Sequence, residues 1–238
     1  MTSFQFHKLK SVLLITLILS GPCLLNINAQ EVKNTAIEPS ATVDQETQKK
    51  AVEWVTSLKL NDQEKEKRVI AIISTHLDAI KKWHNDHPAS TVPEGINPVT
   101  GKSLSELDRQ IIADSAMPGS IHENLMAGLR KELSEAQVEA VLDKYTVGKV
   151  AFTMAGYHAI VPDLTPEEES TIYGFLKEAR EMAVDYKSMK QISAIFEIYK
   201  TKSEQYLNSK GRNWRVLYKT YVDSVKAKKE AAAKAATK

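Results

Sequence analysis

The sequence predicts an all-α fold, an irregular multi-helix bundle, from three observations. A helix-start signal recurs in which Asn, Ser or Thr is followed three residues later by Glu or Gln. Between these signals the apolar residues step by three and four, as one face of a helix requires. The single cysteine, Cys23, stands near the N-terminus, so the body of the chain relies on packed amphipathic faces rather than on disulfides.

The elements follow in order. Lys8 and Lys10, the apolar run from Val12 to Leu19, the breakers Gly21 and Pro22, and Ala29 at a cleavage position read as a secretory signal, with Gln30 as first mature residue. The run is shorter than the roughly 20 apolar residues of a membrane span, so the mature chain is expected to have no transmembrane segment and to be periplasmic or secreted. Pro22 stands where lipoprotein processing wants a small residue, which argues against acylation of Cys23. Residues 30–43 are polar, carry Pro39 and lack periodicity, as a flexible linker does. Removing 29 of the 238 residues leaves 209, enough for one domain with a substantial core. Losing Lys8 and Lys10 brings 32 basic residues to 30, against 30 acidic ones. A balanced charge excludes binding driven by bulk charge, so no nucleic-acid partner is expected.

From residue 44 to 225 the text is helical. The start signals pair Asn61 with Glu64, Ser103 with Glu106, Ser120 with Glu123, Ser134 with Gln137, Thr165 with Glu168 and Ser188 with Gln191, and Pro166 adds a favourable first helical position. One amphipathic helix carries Val69, Ile73, His76, Ile80, Trp83 and His87. A second carries Ile172, Phe175, Leu176, Ala179, Met182, Ala183 and Tyr186, and a third Ile192, Ile195, Phe196, Tyr199 and Tyr206 before Gly211 stops it. A last stripe through Trp214, Leu217, Tyr218, Tyr221, Val222 and Val225 fades into a Lys- and Ala-rich tail, 226–238, expected as a solvated helix end. Two places resist a helical reading. Residues 86–102 carry three prolines and two glycines and form one long loop. In 147–161 the alternation of Val150, Phe152 and Met154 between Gly148 and Gly156 predicts a short extended segment near 147–154, then a helical turn.

The stretch Gly148-Lys149-Val150-Ala151-Phe152-Thr153-Met154-Ala155-Gly156-Tyr157, then Val161-Pro162-Asp163-Leu164-Thr165, then Ile198-Tyr199-Lys200 and Tyr206-Leu207-Asn208, resemble an uncharacterised family of exported Bacteroidota proteins, domain of unknown function thirty-eight twenty-six. The resemblance runs from about Val52 to Val225. It implies a periplasmic or surface role in polysaccharide utilisation and supplies no catalytic residues. The helix starts at Leu133-Ser134 and Leu164-Thr165 are weakly similar to the Leu-Thr-x-x-Gln pattern of periplasmic helical chaperones, with Ser134 replacing Thr and Glu168 replacing Gln.

Three groups of residues bear on chemistry. His76, His84, Asp86 and His87 have the donors a divalent metal wants, but their spacing matches no metal signature and the apolar stripe accounts for them. No metal or other cofactor is expected, and His84 and His87 stand as candidate binding residues. Near the C-terminus Arg212, Trp214 and Arg215 lie among Tyr199, Tyr206, Tyr218 and Tyr221. Aromatic faces with guanidinium forks suit an acidic oligosaccharide, although the same spacing serves a helix core. Asp108 and Arg109 follow the long loop and open a helix. There is no mature cysteine, no Gly-x-Ser-x-Gly elbow and no phosphate-binding glycine loop, so no catalytic residue is assigned. This absence favours a non-catalytic binding or accessory protein, its partner an acidic oligosaccharide or another exported protein. The alternatives are a glycan-processing enzyme on an all-α scaffold and a periplasmic chaperone-like stress protein. Two carboxylates about 5 to 10 Å apart beside exposed aromatics would favour the enzyme.

Overall fold

A computed structural model describes residues 44–236 apart from Val99. The expected leader with Cys23, the linker and the last two residues of the tail lie outside the described residues. The described residues form nine α-helices, one short 3-10 turn and no strand: α1 (Gln45–Thr56), α2 (Gln63–Asp86), the turn Ala89–Thr91, α3 (Glu106–Ser115), α4 (Gly119–Glu132), α5 (Glu135–Thr146), α6 (Lys149–Ile160), α7 (Pro166–Ala183), α8 (Met189–Ser209) and α9 (Trp214–Ala236). The all-α expectation holds.

Start signals succeed where the polar residue meets a free N–H at its own helix end. Ser134 with Gln137, Thr165 with Glu168 and Ser188 with Gln191 form reciprocal boxes that open α5, α7 and α8. Three expected starts shift. α2 is capped by Asp62, whose carboxylate accepts from the Lys65 N–H at 3.0 Å, because Asn61 is held at φ 55 outside the helix. α3 is capped by Ser105 with Asp108, a box closed by the shorter acid, while Ser103 instead forms an antiparallel bridge with Ile96. α4 begins at Gly119 after Pro118 without a side-chain cap, so the Ser120 signal is not used.

The segment 147–161 corrects the extended expectation: α6 is a full helix. Val147 at φ 54 and Gly148 at φ 66 place two successive left-handed residues between α5 and α6, and the chain turns there rather than running on as a strand. Val150, Met154 and Tyr157 are buried at helical spacing, whereas Phe152 is 79% exposed. Apolar residues occupy both faces of α6, which erases the period that would have announced it. The long loop is also shaped: Ala89 is buried, and hydrogen bonds from Asn97 N–H to Lys102 C=O and from Leu104 N–H to Gly95 C=O tie its tip into a narrow return.

Two apolar clusters form the interior. The first gathers Ala51, Val55, Val69, Ile73, Leu125, Leu129, Val138 and Val141 from α1, α2, α4 and α5. The second gathers Val150, Met154, Tyr157, Ile172, Leu176, Ile195, Phe196 and Leu207 from α6, α7 and α8, with Trp214 of α9 packed on its edge. Buried polar networks join the helices. Asp185, just after α7, lies 3.0 Å from His76 Nε2 and 2.9 Å from His122 Nδ1, and the Tyr145 hydroxyl is 3.1 Å from His76 Nδ1. An ionised carboxylate only accepts, so in the neutral ring Nε2 of His76 carries the proton and Nδ1 accepts from Tyr145. Asp114 of α3 is contacted by His84 Nδ1 at 2.7 Å and accepts from the Gln110 and Gln191 side chains at 3.0 and 2.5 Å, drawing α2 and α8 onto α3.

Candidate functional site

The outward face of α6 borders an open groove of about 690 Å³, walled by α8 and α9. Along α6 the groove meets Phe152, Thr153 and Gly156. At Gly156 a Cβ would meet no heavy atom within 4 Å, so the wall is open at that point. On α8, Ile192, Ile195 and Phe196 point into the second cluster, while Glu197, Lys200 and Glu204 border the groove. The steps of three and four between these polar residues make one helix face.

Trp214, Tyr218 and Tyr221 of α9 complete the walls. Gly211, at φ 88, lets the chain reverse after α8, and the Asn208 side chain then accepts from the Trp214 N–H at 3.0 Å. The Trp214 ring lies 6.0 Å from Tyr218 with 25° between their planes, and 5.4 Å from Tyr157. Tyr157 in turn donates its hydroxyl to the Lys200 carbonyl at 3.2 Å. One ring therefore links the aromatic wall to the polar face of α8. Burial pushes the Tyr157 phenol well up.

The two carboxylates of the groove sit in different surroundings. Lys200 Nζ lies 2.9 and 3.0 Å from the two oxygens of Glu197. No hydrogen bond or ion pair within the protein engages the Glu204 carboxylate among the described residues. Burial pushes its carboxyl up; the Lys200 charge opposes this, Glu197 reinforces it, and the net shift is upward. Lys149 extends over the Phe196 ring, 5.7 Å from its centroid.

Of the residues singled out in the sequence, Trp214, Tyr218 and Tyr221 border the groove and the others fall elsewhere. Arg212 has its fork filled: Nε and Nη2 donate to the two oxygens of Glu168 at 2.7 and 2.8 Å, and Nη1 and Nη2 donate to the Asp163 side chain and carbonyl at 2.9 and 2.8 Å. It is an anchor that fastens the α8–α9 turn to the start of α7. The Arg212 guanidinium holds the Glu168 carboxyl down at about 2. Arg215 is exposed and borders no part of the groove. His84 is turned to Asp114, and His87 stacks on Trp83 at 3.7 Å while its Nδ1 donates to the Trp83 carbonyl at 2.9 Å. Asp86 pairs with Lys82 instead of joining them. Asp108 closes the cap of α3, and Arg109 beside it is half-buried with its Nε enclosed and without a hydrogen-bond partner. Among the described residues, no group of three or more His, Cys, Asp or Glu side chains is placed to hold a metal ion.

Sequence reasoning passed over Glu197 and Glu204, which a charged face at three- and four-residue steps does not distinguish from any solvated helix. The available signal was the second apolar face of α6, which has no place in a helix covered on one side only.

Residues 44–227 match the family described as protein of unknown function (DUF3826). The chain belongs to this family. Its match begins at the cap of α1, ends within α9, and includes every wall of the groove. Among curated proteins none matches the chain. No helix of the described residues is long and apolar enough to cross a membrane.

Proposed function

We propose that this DUF3826 protein is exported and binds a glycan in the groove between α6, α8 and α9, as an accessory protein of polysaccharide use. The observation that carries this reading is the Trp214–Tyr218 pair, set beside Lys200 and Glu204 on an open groove. A pyranose ring offers an apolar face, which suits an aromatic platform, and a rim of hydroxyls, which suits charged donors and acceptors. Tyr218 is 50% exposed and ready to take a ring, and Phe152 offers a second apolar face across the groove. The filled fork of Arg212 leaves recognition to the aromatic wall and to α8.

The test is calorimetric titration of the purified chain with cellohexaose, xylohexaose, mannohexaose and hexagalacturonate. At least one is expected to bind, and Tyr218→Ala is expected to weaken it about tenfold, the equivalent of one ring stack. Absence of binding to all four, or an unchanged affinity in the variant, contradicts the reading. For export, the mass of protein recovered outside the cytoplasm is expected to correspond to a chain starting at Gln30; an intact N-terminus contradicts it.

A further inference from the structure

We propose that the groove also hydrolyses the glycan it binds, Glu204 protonating the leaving oxygen and Glu197 activating the attacking water. The inference rests on the glycan-binding reading of the same groove.

Glu197 and Glu204 are seven residues apart on α8, close to two turns, so they share a face at an axial separation of about 10.5 Å. Lys200, which lies between them, pairs with Glu197, and both acids border the same groove. Carboxyl groups on flexible side chains at this spacing reach the roughly 6.5–9.5 Å that leaves room for a water in inverting glycoside hydrolysis. Their surroundings differ in the way acid and base require. Glu197 is largely exposed and faces a cation; Glu204 is more enclosed and unpaired, which favours its protonated form. Trp214 borders the same groove as the two acids, and Tyr157 contacts both the Trp214 ring and the Lys200 carbonyl between them.

The step balances with water as the only co-reactant. Water gives a proton to the Glu197 carboxylate as its oxygen bonds to the anomeric carbon from one face. The bond from that carbon to the glycosidic oxygen breaks on the other face, and the oxygen takes the Glu204 proton and leaves as an alcohol. Glu197 then returns its proton to solvent and Glu204 regains one, leaving the anomeric configuration inverted.

The experiment incubates the purified chain with each of the four hexasaccharides above and follows shorter products and their anomeric form. Titration of the same samples reads affinity separately. Cleavage with inversion is expected. Glu204→Gln and Glu197→Gln are each expected to lower turnover about 100-fold or more with affinity kept within about threefold. Glu178→Gln, an exposed carboxylate outside the groove that pairs with Lys202, is expected to retain full turnover. Binding without any product overturns the proposal and leaves the binding reading standing, whereas absence of binding removes that reading itself. A Glu204→Gln chain as active as the parent, or one losing affinity and turnover in equal proportion, also overturns the assignment.

Discussion

His122 and Arg212 show how single side chains set the conditions under which the fold is stable. The close contact with Asp185, opposed by burial, raises the His122 imidazole above its ordinary 6.5. A raised imidazole stabilises fully below its unfolded value and loses that contribution as pH rises through the folded one. Burial pushes the Asp185 carboxyl up, but its contacts with His122 and His76 outweigh this and leave it lowered; Arg212 lowers Glu168 to about 2. Lowered carboxyls stabilise above their unfolded range and lose that contribution as pH falls. These groups therefore favour mildly acidic solution, between the ordinary carboxyl range and about pH 6.5. Thermal melts across pH 3 to 9 are expected to show a decline above pH 6.5 that His122→Asn flattens; an identical alkaline decline in the variant contradicts the assignment. Arg212→Ala leaves Glu168 enclosed without its partner and is expected to cost about 3 kcal/mol, read from urea unfolding.

At the scale of elements, α6 is set by its junction with α5 more than by its own pattern. Val147 is a β-branched residue at φ 54 with 72% of its surface exposed, so it bears left-handed strain without contributing to the core. Val147→Asn is expected to stabilise the protein by about 1 kcal/mol, since Asn tolerates that region. A loss of stability in the same measurement shows instead that the valine packs usefully. The two faces of α6 do different work: Val150, Met154 and Tyr157 secure the helix in the second cluster, and Phe152, Thr153 and Gly156 shape the groove. α9 is the complementary case. Trp214 is held by Asn208 and Tyr157, and residues beyond Val225 are exposed along the helix as far as they are described.

For the whole molecule, α7 joins the two apolar clusters. Its Ile172, Leu176 and Ala179 belong to the second, Val184 just beyond it belongs to the first, and the buried Arg180 lies 2.8 Å from Asp143 of α5. An element shared in this way couples the unfolding of both halves. Leu129→Ala in the first cluster and Leu176→Ala in the second are each expected to cost about 2–5 kcal/mol. Each is also expected to shift one common transition, seen together by far-ultraviolet circular dichroism and tryptophan fluorescence. Two separated transitions in either variant contradict the coupling.

The all-α class, the boxes at Ser134, Thr165 and Ser188, and the buried stripes of α2, α7 and α8 were legible in the chain. Caps and amphipathic periods are interactions between residues a few positions apart, and they survive without knowledge of neighbours. The shifted starts at Asp62 and Ser105 were within reach of the same logic, because Asp serves at the cap as well as Asn, Ser or Thr and at the third position as well as Glu or Gln. The groove was not legible. Trp214 could be marked as an aromatic among cations, but nothing local says that Arg212 spends its fork on Glu168, 44 positions away, or that Glu204 stays unpaired. Which aromatic face remains open, and which charge remains unanswered, depends on what the rest of the chain brings against it, and only the packing of α6, α8 and α9 decided that.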